Sequence, residues 1–217
     1  MLFNSFLNNN KRIIHKWEHY FPIYERHFSK FINQSLVMIE IGCGQGGSLQ
    51  MWRQYLGPLA TIVGIDINPR CKDFQQPGIF VRIGDQSDKY FLSTVLAEFG
   101  IPEIVLDDGS HIMKDINTSF DFLYPLMRRN SIYMVEDLHT AYWKEYGGGI
   151  DNQETFTNRV KGFVDLINAD HSRGVLKPNE FTRNTFGMSI YDSIVCFEKG
   201  CVLNKFAPKY GNSKYKK

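Results

Sequence analysis

The sequence has no charge excess of either sign: 25 Lys and Arg stand against 23 Asp and Glu, for a formal net charge of +2. Gripping a polyphosphate chain by bulk charge requires a basic surplus, so a nucleic-acid partner is not expected. No apolar run approaches the roughly 20 residues that span a bilayer, and MLFNSFLNNNKR opens without a charged leader before an apolar run, so no membrane partner is expected and the chain reads as cytoplasmic. The four cysteines (Cys43, Cys71, Cys196, Cys201) are scattered, with neither zinc-ligand spacing nor the density of a disulfide framework, and read as reduced structural thiols. Repeats, low-complexity blocks and long Pro/Gly linkers are also missing. What remains is ample for one core: 217 residues, 43% hydrophobic and 14% aromatic.

Short apolar runs recur at 36–41 (LVMIEI), 61–66 (TIVGID), 79–83 (IFVRI), 103–107 (EIVLD) and 131–136 (SIYMVE). Continuous rather than alternating hydrophobicity predicts buried parallel strands. Segments of helical spacing lie between them. One carries Leu49, Trp52, Tyr55 and Leu56 and stops at Gly57-Pro58; a second carries Phe91, Leu92, Val95 and Leu96 after an expected Ser87 N-cap; a third carries Ile112, Ile116, Phe120 and Leu123 and is expected to kink or end at Pro125. The last two runs, MSIY (188–191) and IVCFE (194–198), are separated only by Asp192-Ser193 and can pair only as an antiparallel hairpin. The expected fold is α/β, a Rossmann-like seven-stranded, mostly parallel sheet with a C-terminal antiparallel hairpin and helices on both faces.

Three stretches are expected to divide the chain: an aromatic, basic helical segment at 1–33, the main domain at 34–200, and a basic flexible tail at 201–217. Ile23, His27, Phe28 and Phe31 keep helical spacing, which predicts a helix packed over the sheet edge; the other reading of 1–33 is a lid with His19 and Tyr20 facing a ligand. The segment would cover an apolar surface of its own core or of a second subunit, and a homo-oligomer is expected. Gly147-Gly148-Gly149 and a helix at 154–170 form an insert expected to border the substrate.

Three clusters at strand ends carry chemistry. In the first, Glu40-Ile41-Gly42-Cys43-Gly44-Gln45-Gly46-Gly47-Ser48 joins a strand to a helix. Glycines there permit a tight turn and close approach of backbone to a ligand. Asp66, ending the second strand, can accept the hydroxyls of a ribose, and Asp85 with Gln86, ending the third, lie where an adenine would rest. A nucleoside is the expected ligand. The turn is G-x-G-x-G, not G-x-G-x-x-G, and follows an acid, which suits a dinucleotide pyrophosphate poorly and argues against a nicotinamide oxidoreductase.

The second cluster is Asp107-Asp108-Gly109-Ser110-His111 and the third Glu136-Asp137-Leu138-His139. If their strands are neighbours, four carboxylates meet at one edge and repel unless a cation intervenes. Oxygen donors without cysteine favour a hard ion, Mg2+, Mn2+ or Ca2+. His111 is placed to act as a base on a substrate oxygen, and His139 to support the carboxylates.

The glycine turn, the strand-end acids and the terminal hairpin together resemble the class I S-adenosylmethionine-dependent methyltransferases. More narrowly, KWEHYFPIYERHF, EIGCGQGGSLQMW, GIDINP, VLDDGSH and VEDLHTAYW resemble the metal-dependent sugar O-methyltransferases of the macrocin and mycinamicin type and the cephalosporin hydroxylase-like and rhamnosyl O-methyltransferase relatives. The resemblance runs from about Lys16 to Trp143 and through the hairpin. It implies S-adenosylmethionine and Mg2+ as cofactors and a sugar-containing small molecule or glycan as acceptor. Gly42, Gly44 and Gly46 would approach the methionine part, Asp66 the ribose, and Asp85 and Gln86 the adenine, with Glu40, Ser48 and Asp107 completing the cofactor site. Asp108, Glu136 and Asp137 would ligate Mg2+, with His111 as general base. The other expectation is a non-catalytic, adenosine-cofactor-binding partner subunit of a tailoring enzyme.

Overall fold

The computed structural model describes residues 2–200 and 205–211. One sheet of seven strands runs in the order β3-β2-β1-β4-β5-β7-β6. The strands are β1 (Leu36–Ile41), β2 (Ala60–Asp66), β3 (Ile79–Ile83), β4 (Ile104–Asp107), β5 (Ile132–Val135), β6 (Thr185–Ile190) and β7 (Val195–Lys199). β1 to β5 pair in parallel, while β7 lies antiparallel to both β5 and β6. The seven strands and terminal hairpin read from the sequence are therefore present, in a Rossmann-like arrangement.

Alternation along each strand sends side chains to two cores. Met38, Ile62, Leu106 and Met134 face one, together with helices α1 (Leu2–Leu7), α2 (Phe21–Phe28) and α3 (Gly47–Leu56). Ile39, Val63, Val105 and Tyr133 face the other, with α4 (Lys89–Phe99), α5 (Met113–Leu126) and α6 (Phe156–Asn168). A short α7 (Glu180–Asn184) precedes β6. No helix among the described residues is long and apolar enough to cross a membrane.

Several local expectations change. Asp88, not Ser87, caps α4, accepting from the Tyr90 and Phe91 amides at 2.8 and 3.1 Å, because Ser87 is bound back to Asp85 through its own amide and hydroxyl. α5 ends at Leu126, one residue past Pro125, close to the end expected there. The N-terminal helix packs beside α3 over a sheet face, not over an edge. Tyr24 and Phe28 meet the buried Trp52 edge-on at 5.1 and 5.7 Å. Cys43, Cys71 and Cys196 are free and buried. Cys201 lies outside the described residues, as do positions 201–204 and 212–217 of the basic tail; Lys205 pairs with Asp170 at 3.1 Å.

Strand order reverses between β1 and β4, each of which continues outward through its own neighbours, so their carboxyl ends flank a crevice. The glycine turn and the Asp107 to His111 cluster open into it.

Candidate active site

The turn after β1 closes on the loop after β4. Gly42, at φ +81°, donates its amide to the Ile65 carbonyl at 2.7 Å, and a Cβ there would stand 2.0 Å from the Asp108 carbonyl oxygen. Asp66 Oδ2 accepts from the Cys43 and Gly44 amides, both at 3.1 Å, which fixes the turn from the β2 side. Two cavities meet here. One, about 360 Å3, is lined by Gly42, Gly44, Ser48, Asp66, Asp108, His111 and Asp137 and by Ile13 to Lys16. The other, about 330 Å3, has Ile41, Ile65, Ile67 and Ile112 for walls and Asp66, Asp85 and Gln86 for polar groups. An apolar slot with a few directed polar groups suits a purine ring, and its polar continuation suits a charged amino-acid end.

Three residues expected at the cofactor shape the site from behind. Glu40 is fully buried, accepting from the Ser48 hydroxyl at 2.7 Å and the Trp52 indole at 3.1 Å. Ser48 lines the first cavity with its hydroxyl committed to Glu40. Asp107 is buried and accepts from Gln86 Nε2, the Ser119 hydroxyl and the Tyr133 hydroxyl at 3.1, 2.6 and 3.2 Å. Burial pushes its carboxyl up to about 6, against the pull of those donors. Gln86 in turn accepts from the Ser110 amide at 2.7 Å, which ties the end of β3 to the loop after β4.

Ligand atoms of Asp108, His111 and Asp137 lie within 4.8 Å of one another. His111 Nε2 stands 3.9 Å from Asp108 Oδ1 and 3.8 Å from Asp137 Oδ2, facing both without a hydrogen bond to either. His111 and Asp137 hold left-handed backbone, φ 57° and 53°, a strained state for non-glycine residues that concentrates at functional sites. The buried Thr140 hydroxyl donates to the Asp137 carbonyl at 2.8 Å and lies 3.3 Å from that of His111, bracing both strained turns. A hard cation fits this pocket by the chemistry of its oxygen donors: the carboxylates of Asp108 and Asp137 face one space, with the His111 imidazole beside them. Glu136, expected beside them, points inward. Its carboxylate accepts from the Tyr24 hydroxyl at 2.6 Å and from Lys16 Nζ at 2.9 Å.

Lys16, Tyr24 and Thr140 were not singled out at sequence level, and Tyr20, read there as one of two residues of a lid facing a ligand, is buried instead. The N-terminal segment sends Lys16 to Asp108 at 2.6 Å, Tyr20 to Asp137 at 2.7 Å and Tyr24 to Glu136, so it forms the floor of the acidic cluster. Burial by itself would lower the Lys16 pKa, but Asp108, Glu136 and Glu40 together hold it well above its ordinary value. The available signal was electrostatic: carboxylates gathered at one edge require a cation, and KWEH opens the first resembling motif. His139 bonds through Nδ1 to the Ser193 hydroxyl at 2.7 Å rather than to a carboxylate, and Ser193 in turn meets the Tyr20 hydroxyl.

No family model matches the sequence. The chain is 36% identical over 198 residues to mycinamicin VI 2''-O-methyltransferase of Micromonospora griseorubida (84% of this chain, 48% of that protein). It is also 36% identical over 203 residues to demethylmacrocin O-methyltransferase of Streptomyces fradiae (85% and 50%). The structure superposes on that of MycE methyltransferase in complex with Mg, SAH and mycinamycin VI with a TM-score of 0.81 and 31% identity, over 99% of this chain and 56% of that one. The chain has the class I methyltransferase fold and is related to these O-methyltransferases. It spans about half the length of the curated relatives it matches. In this methyltransferase fold the shared region includes the glycine turn, both acidic strand ends and the segment carrying Lys16, since the superposition covers nearly the whole chain.

Proposed function

We propose that the chain is an O-methyltransferase that uses S-adenosylmethionine and Mg2+ to methylate a sugar hydroxyl of a glycosylated small molecule or glycan. The observation that carries this reading is the convergence of Asp108, His111 and Asp137 at the mouth of the cavity behind the glycine turn. The adenosine part would rest between Ile41, Ile65, Ile67 and Ile112, with Asp66 toward the ribose and Asp85 and Gln86 at the far end. When bound, the cofactor supplies the methyl group and the metal lowers the pKa of a coordinated hydroxyl. Asp108 and Asp137 would hold that metal, with Glu136 behind them. His111 Nε2 takes the acceptor proton as the hydroxyl oxygen bonds to the methyl carbon and the carbon–sulfur bond breaks. The residue has no competing hydrogen bond to either carboxylate, which leaves the nitrogen available.

The rim favours a sugar. Trp17, 55% exposed, shares a third cavity of about 220 Å3 with Asp108, Glu136 and Asp137. An arc of rings leads from it through His139 (6.2 Å) and Trp143 (5.0 Å) to Tyr146 (5.8 Å) and on to His111 (6.4 Å). Exposed aromatic faces beside polar groups suit a ring with one apolar face and several hydroxyls. The glycine triplet holds this arc, with Gly148 and Gly149 donating to the Trp143 and Ala141 carbonyls at 2.9 and 2.8 Å.

The test is calorimetry with S-adenosylmethionine, with and without Mg2+, followed by methyl transfer from labelled cofactor to rhamnosides and macrolide glycosides. D108N should retain cofactor binding and lose metal-dependent turnover, and H111A should lose about a hundred- to ten-thousandfold in kcat. Full D108N turnover in chelator would refute the metal assignment.

A further inference from the structure

Lys16 Nζ lies 2.6 Å from Asp108 Oδ2, 2.9 Å from Glu136 Oε2 and 3.5 Å from Glu40 Oε1, with its side chain 3% exposed. These acids end β4, β5 and β1, three adjacent strands, so one ammonium joins three strand ends in a place that water scarcely reaches. The oxygens divide cleanly. Both Glu136 oxygens are taken, by Tyr24 and Lys16. Asp108 gives Oδ2 to Lys16 and turns Oδ1 toward His111; Asp137 gives Oδ1 to Tyr20 and turns Oδ2 toward His111. An entering cation thus meets one open oxygen from each aspartate, and competes with the ammonium for Asp108 Oδ2 and Glu136 Oε2.

We infer that Lys16 is a positioning residue, an internal counter-cation that holds Asp108 and Glu136 together while the site is without a divalent ion and competes with that ion for the same oxygens. The inference rests on Asp108 and Asp137 being the metal ligands. Lys16 carries two opposed effects. It stabilises the metal-free chain, because without it three carboxylates at the strand ends lose their partner. It also weakens metal binding, because a positive charge stands beside the ligands. A site so balanced exchanges one cation for another without leaving its carboxylates unpaired in either state.

K16M and K16Q separate these effects. In chelator both variants should melt below the wild type. By calorimetry both should bind Mg2+ about tenfold or more tightly than wild type, the result of removing one like charge from the site, and should show a larger Mg2+-induced rise in Tm. Equal or weaker Mg2+ affinity in the variants overturns the inference. In the wild type, the buried ammonium of 15N-lysine-labelled protein should shift or broaden as Mg2+ is added, and an unchanged Lys16 signal at Mg2+ saturation also overturns it, whether or not the variants fold. If the wild type binds no Mg2+ at all, the metal-ligand reading fails first, an outcome distinct from unaltered affinity in the variants.

Discussion

Two loops touch at Gly42. With φ at +81° and the Asp108 carbonyl oxygen 2.0 Å from the place of a Cβ, a methyl group there meets backbone, which has no flexible end to yield. G42A should therefore destabilise the chain by about 3 kcal/mol or more, the range of severe single substitutions, as read from denaturant midpoints. It should also abolish cofactor binding, since the same contact sets the gap between the turn and the metal edge. Trp143 acts differently. It is 45% exposed and packs only on His139 and Tyr146 among the described rings, so W143A should leave stability within about 0.5 kcal/mol. Its effect should fall on the acceptor, with KM raised about tenfold for loss of one aromatic face, kcat little changed and the cofactor Kd unaltered. A uniform fall in kcat would assign Trp143 to the chemistry instead.

Helix α2 shows why an element can carry more than its periodicity reveals. The spacing of Ile23, His27, Phe28 and Phe31 predicts a packed helix, and those residues are buried. Helix α2 itself also places Tyr24 on Glu136 and hands His27 to the hairpin turn, where Nε2 lies 2.9 Å from the Tyr191 hydroxyl. Burial lowers the His27 pKa from 6.5; Arg26 and Lys30 add to this and Glu198 opposes it. Below pH 6.5 the unfolded chain then binds this proton more readily than the folded one, so stability is lost as pH falls through that range. H27Q should flatten the decline between pH 7 and 5 in urea unfolding, and an identical slope would exclude His27 as its source.

Over the whole molecule a formal charge of +2 conceals a steep separation. Asp66, Asp108, Glu136 and Asp137 meet at one edge with Lys16 among them. A ligand that binds only this folded edge stabilises it by mass action, by about 2.7 kcal/mol at a hundredfold excess over Kd. Mg2+ should accordingly raise Tm, chelator should reverse the rise, and D108N should show none.

The strands were legible because burial on both faces demands continuous apolar runs, and the terminal hairpin because two residues cannot make a parallel crossover. The glycine turn and the acids at each strand end followed from the same punctuation, since a parallel sheet brings its carboxyl ends to one edge. Adjacency in space left no local mark. Nothing around position 16 states that its ammonium lies among the ends of β1, β4 and β5, or that Glu136 turns inward to Tyr24 while Asp137, one residue on, turns out. Sequence patterning alone determined the elements and the edge on which chemistry collects, because it acts through local period and hydrophobicity. Only the tertiary structure decided which carboxylates face the cleft and which cation holds the others, because that depends on a segment some 90 to 120 residues away folding back over the sheet.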